Sequence, residues 1–226
     1  MLKWGRSFAA LWLVALATPA MAELGTARPA AERWVFDVLM DGDREIGTHT
    51  IDIIRSGADT TVQVVVDLDV KFGFLTLFRY DLELTERWRA GQFVALDARV
   101  DRDGRTGTVT ARRTDDGIVL DGPAGPTLAP ADALPATHWN RGLMDRAVWI
   151  NIETGALIEV KRQDLGEVQL QRPSGPVTTT HIRQTGTVPI DYWYDDQDRL
   201  VWLRFELDGR VFDYRPRAPT AVAGVE

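Results

Sequence analysis

The sequence predicts an all-β protein, a single domain in which one long antiparallel meander forms a strongly curled sheet or open barrel. Three observations predict it. Apolar and polar residues alternate with a period of two through most of the chain after Trp34, Asp-Gly pairs separate the alternating runs, and no segment carries a long helical period. The alternation leaves one face dry and the other wet, which is the pattern of antiparallel sheets. Parallel strands are usually covered on both faces and read as unbroken apolar runs.

Residues 1–22 read as a signal peptide. Lys3 and Arg6 precede an apolar run from Phe8 to Ala17, followed by Ala20-Met21-Ala22, the small-x-small pattern that signal peptidase cleaves. The run is about ten residues long, half of the roughly twenty that a spanning helix needs, so cleavage is expected and not anchoring. The mature protein is expected in the bacterial periplasm, with no membrane span. Residues 23–32 and 216–226, rich in small residues and Pro, read as flexible tails around a single all-β domain at 33–215.

Within that domain, Val62, Val64, Val66, Leu68 and Val70 share one strand face, with Gln63, Asp67, Asp69 and Lys71 mostly on the other. The same alternation runs through Phe78, Tyr80, Leu82, Leu84 and Trp88, and through Val201, Leu203, Phe205 and Leu207. Strands are expected near 33–40, 45–55, 60–71, 76–89, 92–102, 106–113 and 117–121. Asp41-Gly42, Asp103-Gly104 and Asp116-Gly117 supply residues that accept the positive φ of tight hairpin turns. Pro123, Pro126, Pro130 and Pro135 then interrupt the pattern, and regular pairing is not expected from Gly122 to Ala147. This proline-rich crossover reads as a surface connection between two halves of one sheet, with at most one short helix around His138 to Asp145. Further strands are expected near 148–152, 156–162, 166–172, 177–185, 188–195, 199–207 and 210–215, with Asp208-Gly209 turning the last pair.

Composition narrows the chemistry. The formal charge is -7, and losing Lys3 and Arg6 with no acid takes it to -9, which argues against nucleic acid or anionic headgroups as partners. There is no cysteine, and after residue 22 the serines are Ser56 and Ser174, both in turn-forming surroundings and neither in a Gly-x-Ser-x-Gly elbow. His49, His138 and His181 lack metal-ligand spacing, and Asp41, Asp43 and Glu45 mimic a calcium loop with Ile46 where glycine is required. Neither phosphate-cradling glycine pattern follows a strand. No catalytic residue, metal or cofactor is therefore expected.

Four segments, Thr137-His138-Trp139-Asn140, Asn151-Ile152-Glu153-Thr154-Gly155, Asp191-Tyr192-Trp193-Tyr194-Asp195 and Leu207-Asp208-Gly209, stand beside Phe36-Asp37-Val38, Asp41-Gly42 and Ile46-Gly47 near the start. Together they resemble a family of secreted proteobacterial proteins of unknown function, over nearly the whole mature chain. The resemblance implies no reaction. The layout is also distantly similar to periplasmic curled-sheet proteins of the lipoprotein-carrier kind, in which an open barrel shelters an acyl chain. This chain departs from them in lacking clear helices to close the barrel.

The expected function is that of an exported binding protein holding an apolar or amphipathic, lipid-like ligand in the curled sheet. Phe72, Phe74, Leu75 and Phe78 are the expected wall or lip, and His138, Trp139 and Asn140 the polar and aromatic cover. Trp193, on the opposite face from the dry positions of its strand, joins them as a ligand-binding candidate. Two alternatives remain: a non-catalytic envelope adaptor that meets a protein partner through its aromatics, and an envelope enzyme using His138 with a carboxylate in reach.

Overall fold

The first strand of the sheet hydrogen-bonds to the last, and that pairing turns two meanders into one surface. The computed structural model describes residues 30–72, 75–172, 175–186 and 188–217. The expected signal peptide lies outside the described residues. β1 (Ala30–Met40), β2 (Arg44–Ser56), β3 (Asp59–Phe72), β4 (Leu75–Arg89), β5 (Gln92–Arg102), β6 (Arg105–Thr114) and β7 (Gly117–Asp121) succeed one another as antiparallel hairpins. β8 (Thr127–Ala129) extends this half. The second half is β12 (Lys161–Leu170), β13 (Val177–Thr185), β14 (Ile190–Asp195), β15 (Leu200–Leu207) and β16 (Arg210–Pro216). Phe36 to Met40 of β1 pair with Pro216 to Phe212 of β16, so the 13-stranded sheet runs from β12 through β16 and β1 to β8.

The alternation that predicted the strands is the one that fills the core. Val62, Val64, Val66, Leu68 and Val70 are all buried, as are Tyr80, Leu82, Leu84 and Trp88 on β4. A sheet of this many strands twists until it curls, and curling encloses the dry face. At Asp103-Gly104 and Asp208-Gly209 both turn residues take positive φ, as two-residue hairpins of right-handed twist require, and Asp41 and Gly42 do so within the three-residue loop between β1 and β2.

The crossover departs from expectation. Two short strands form where the prolines were expected to prevent pairing: β8, and β9 (Leu134–Pro135), which pairs in parallel with β10 (Val148–Ile150). β11 (Leu157–Glu159) completes a small three-stranded sheet with them, and Arg141–Asp145 forms a single 3-10 turn. Proline is tolerated here because these strands are two or three residues long and lie at edges, where a missing N–H breaks no central ladder. Nor is the crossover a surface connection. Ala133, Leu134, Leu143 and Met144 of this segment are buried in the same core as the β-sheet residues, together with Trp149 and Ile150 of β10, so the crossover and the small sheet that follows it fill the hollow of the curl.

Two further differences are local. Pairing begins at Ala30 and reaches Pro216, slightly beyond the expected domain limits. The turn expected between strands 156–162 and 166–172 is a bulge inside β12, where the register shifts between Asp164 and Glu167 and Gly166 takes φ +85.

Gly47 marks the tightest backbone approach in β2. It stands at φ +148 beside the register shift between Val38 and Leu39, and a Cβ built there would come within 1.9 Å of the Asp67 carbonyl oxygen. Gly47→Ala is expected to destabilise the fold by at least about 2 kcal/mol, read as a lower urea midpoint at unchanged m-value.

Candidate functional site

Between the inner face of the sheet and the crossover lies a cavity of about 270 Å³. Its wall comes from both halves of the sheet: His49 on β2, Val64 and Val66 on β3, Tyr80 and Leu82 on β4, Gln184 on β13, Ile190 on β14, Leu203 and Phe205 on β15, and Tyr214 on β16. The crossover supplies the remainder, including Ala136, Thr137, His138, Trp149, Asn151, Ile152, Glu153 and Ile158.

His138 is held by its neighbours. Glu86 of β4 points inward, in register with Leu82, Leu84 and Trp88, and is fully buried with no cation in contact among the described residues. Its carboxylate accepts from Thr137 Oγ1 at 2.5 Å, from Trp139 Nε1 at 3.0 Å and from Trp88 Nε1 at 2.7 Å. Two of these donors flank His138, so Glu86 ties the crossover to β4 on both sides of it. Burial pushes the Glu86 carboxyl above its usual range, against the pull of the three donors. Tyr194 Oη donates to the His138 carbonyl at 3.0 Å, and His138 itself stands at φ +63, a left-handed conformation uncommon for a side chain other than glycine. Such strain persists only where its surroundings impose it. The ring lies 5.0 Å from that of Tyr192 and 5.9 Å from that of Trp149.

The other polar end is built by a turn. Asn151 Oδ1 accepts from the backbone N–H of Glu153 at 2.8 Å and of Thr154 at 3.1 Å, and Gly155 closes the turn at φ +74. Glu153 is thereby delivered to Tyr80, whose hydroxyl donates to it at 3.0 Å, and to Arg102, at 2.6 Å. The Arg102 guanidinium lies over the Tyr80 ring at 5.4 Å, so the acid, the phenol and the cation form a satisfied triplet.

The two histidines that border the cavity are not satisfied. His49 Nε2 and His138 Nδ1 are buried without a hydrogen-bond partner among the described residues. Burial pushes the His49 imidazole down to about 4, and burial, aided by the repulsion of His49, pushes His138 down to about 3. Both rings are neutral at pH 7. An acid-base role for His138 would require a carboxylate against its ring; Glu86 instead grips the residues on either side of it. Among the described residues no group of three or more potential metal ligands occurs.

Of the residues expected to bind ligand, His138 lines the cavity. Trp139 does not: its indole bonds to Glu86 and stands edge-on to Trp88 at 5.4 Å. Asn140 caps the 3-10 turn, its side chain accepting from Gly142 N. Both border a second, polar groove of about 340 Å³ whose arginines are matched locally, Arg55 to Glu32 at 3.2 Å and Arg199 to Asp195 at 2.8 Å. Phe78 is half-buried and stacks on Tyr80 at 6.5 Å, one step outward from the cavity wall. Phe72 and Leu75 pair across the tip of the β3–β4 hairpin, and Phe74 lies outside the described residues. Trp193 is on the outer face, as its alternation implied, and therefore across the sheet from the cavity. It stacks between His181 at 4.4 Å and Trp202 at 4.8 Å, its cross-strand partners, so these rings cover one another.

Sequence reasoning passed over His49, Glu86 and Glu153. His49 shares the inward alternation of Ile51 and Ile53, and Glu86 interrupts that of β4; a polar residue in register with an apolar face was the available signal.

Two outcomes follow for stability. Glu86→Ala strands three buried donors and is expected to cost about 3 kcal/mol in urea unfolding, whereas Glu86→Gln, which keeps an acceptor oxygen, costs less. The unfolded chain protonates His49 near pH 6.5, while the folded chain does so only near 4, so stability is lost as pH falls through that interval. His49→Phe removes this dependence, and its loss between pH 7 and pH 4 should be smaller than that of the unaltered protein by about 3 kcal/mol.

Comparison with known proteins adds the fold's relatives. A β-barrel-like protein of the domain of unknown function DUF1849 from Brucella abortus, known from its crystal structure, superposes with a TM-score of 0.60 at 10% identity, covering 82% of this chain and 95% of that one. At that identity the likeness concerns the fold alone. No curated protein matches the sequence. The model of the domain of unknown function DUF6134 matches residues 36–217, which include every strand of the sheet at least in part, and the chain belongs to that family.

Proposed function

We propose that this is an exported binding protein of the bacterial periplasm that takes a small amphipathic ligand into the cavity between the curled sheet and the crossover. Export rests on the charged, apolar and small-residue order of the first 22 residues. Binding rests on one observation above all: an apolar cavity bordered by two histidines, each with a buried nitrogen lacking a partner. Native proteins rarely leave such atoms unpaired, because each costs about 1–3 kcal/mol, and a bound molecule is one way to complete them. At about 270 Å³ the cavity falls just below the roughly 300–1,000 Å³ of drug-sized ligand sites, which supports a ring or a short chain over a full lipid tail.

Native mass spectrometry of the protein purified from its own compartment, with the tryptophan emission of the delipidated protein titrated by a small apolar dye, tests this. A co-purifying small molecule or saturable dye uptake is expected, and Ala136→Phe, which fills the cavity, should abolish uptake while leaving the melting temperature within a few degrees. Neither molecule nor uptake would remove the reading.

A second reading has its own observation. β12 forms an edge of the sheet, is exposed along almost its whole length, and presents Leu165 and Val168 to solvent. Such an edge suits strand addition by an envelope protein. Proline substitution in β12 would then abolish capture of that partner without affecting dye uptake.

A further inference from the structure

The lining of the cavity carries a statement about the charge and shape of what it holds, one that rests on the binding reading above. We infer that the ligand is an uncharged ring compound bearing a single hydrogen-bonding group, of the phenol or ring-alcohol class, with its polar group at the His49–His138 end. Size, shape, polarity and charge each point the same way.

An apolar cavity of about 150 Å³ accepts benzene, so about 270 Å³ accommodates one ring with a short substituent and is too small for a diacyl structure. The walls are suited to a ring. Tyr80, Trp149, Phe205 and Tyr214 present aromatic surface around the space, with Val64, Val66 and Leu82 completing an apolar floor. Tyr214 and Phe36 in turn fix His49 between them, at 5.7 and 5.9 Å between ring centres, so that imidazole is held in place with or without a ligand.

Charge discriminates further. The carboxylate lining the space, Glu153, already accepts from Tyr80 and Arg102, and Arg102 does not itself line the cavity. Among the described lining residues none is Lys or Arg. A ligand carboxylate or phosphate would therefore be buried without a cation, and close to an acid. A ligand ammonium would find an acid whose charge is already matched. Each costs several kcal/mol unless the ion is paired. The histidines do not relieve this, being neutral over the physiological range; a neutral imidazole instead offers one donor and one acceptor, which suits a hydroxyl.

The inference is tested on the full chain with three probes of one shape: 4-propylphenol, 4-propylbenzoate and 4-propylbenzylamine. Binding is read at pH 7 by calorimetry and by the emission of the tryptophans. 4-Propylphenol should bind at least about tenfold more tightly than either charged analogue, the equivalent of one hydrogen bond gained or one ion left unpaired. His49→Phe should weaken 4-propylphenol by about tenfold while leaving propylbenzene unchanged, and His138→Asn, chosen because Asn accepts positive φ, should do the same. Melting curves identify any variant that fails to fold, and the three-probe comparison needs no variant. Equal or tighter binding of a charged probe would overturn the inference and leave the binding reading intact. Equal affinity for 4-propylphenol and propylbenzene would overturn the role of the histidines. Failure of all four probes, with no uptake of the apolar dye, would overturn both.

Discussion

A sheet of thirteen strands whose edges do not pair with each other must cover its own apolar face from within, and the rest of the molecule follows from that constraint. With no cysteine to staple it, the fold relies on burial. The cover is the crossover, which joins the two edges β8 and β12 and turns Leu134, Leu143, Met144, Trp149 and Ile150 into the curl. Because this segment is irregular, its backbone and side-chain polar groups need partners that a regular ladder would otherwise provide. Glu86 supplies acceptors for two of them. A buried carboxylate is a costly way to do so, and it survives because three donors converge on it.

Three of the four short segments that first suggested a family occupy one region and, in large part, one task; the fourth, Leu207-Asp208-Gly209, turns the β15–β16 hairpin. Thr137 and Trp139 bind Glu86, and His138 between them borders the cavity. Asn151 to Gly155 form the turn that presents Glu153. In the Asp191 to Asp195 segment, Tyr194 holds the His138 carbonyl and Tyr192 lies against its ring, while Trp193 and Asp191 organise the outer face beside His181. Alternation in β14 thus sends one tyrosine pair to the cavity side and the Trp and Asp to the opposite side, a division of labour within five residues.

The sheet was legible and the cavity was not, for a physical reason. A strand announces its inward face by repetition, so Val62 to Val70 and Tyr80 to Trp88 could be assigned without knowing their neighbours. The crossover has no period. Its four prolines correctly marked an interruption but said nothing about whether it ran outside or inside the curl, which depends on the area left uncovered by strands far away in sequence. Ligand candidates were accordingly sought among conspicuous aromatics. Trp139 bonds to Glu86 and Trp193 stacks between its cross-strand neighbours, because an aromatic ring is as useful for closing a core or tiling a sheet as for meeting a ligand. His49 and Glu86 were inconspicuous because each is a single polar residue in an otherwise apolar row.

The seam between β1 and β16 has a consequence for the order in which the chain acquires its shape. Arg217 bonds to Asp37 across 180 residues of sequence, and the strands beside that contact are central to the sheet. Every other long pairing of the sheet is a local hairpin; this one must wait for the final strand. Such non-local closure is slow compared with hairpin formation. Until it happens, β1 and β16 are both bare edges, and the interior that holds the crossover is open along its length. A chain that has emerged only as far as β15 is therefore not a slightly smaller version of the protein but two unjoined ribbons sharing a plug, and it is in that interval that the chain is most exposed to wrong pairing with other chains.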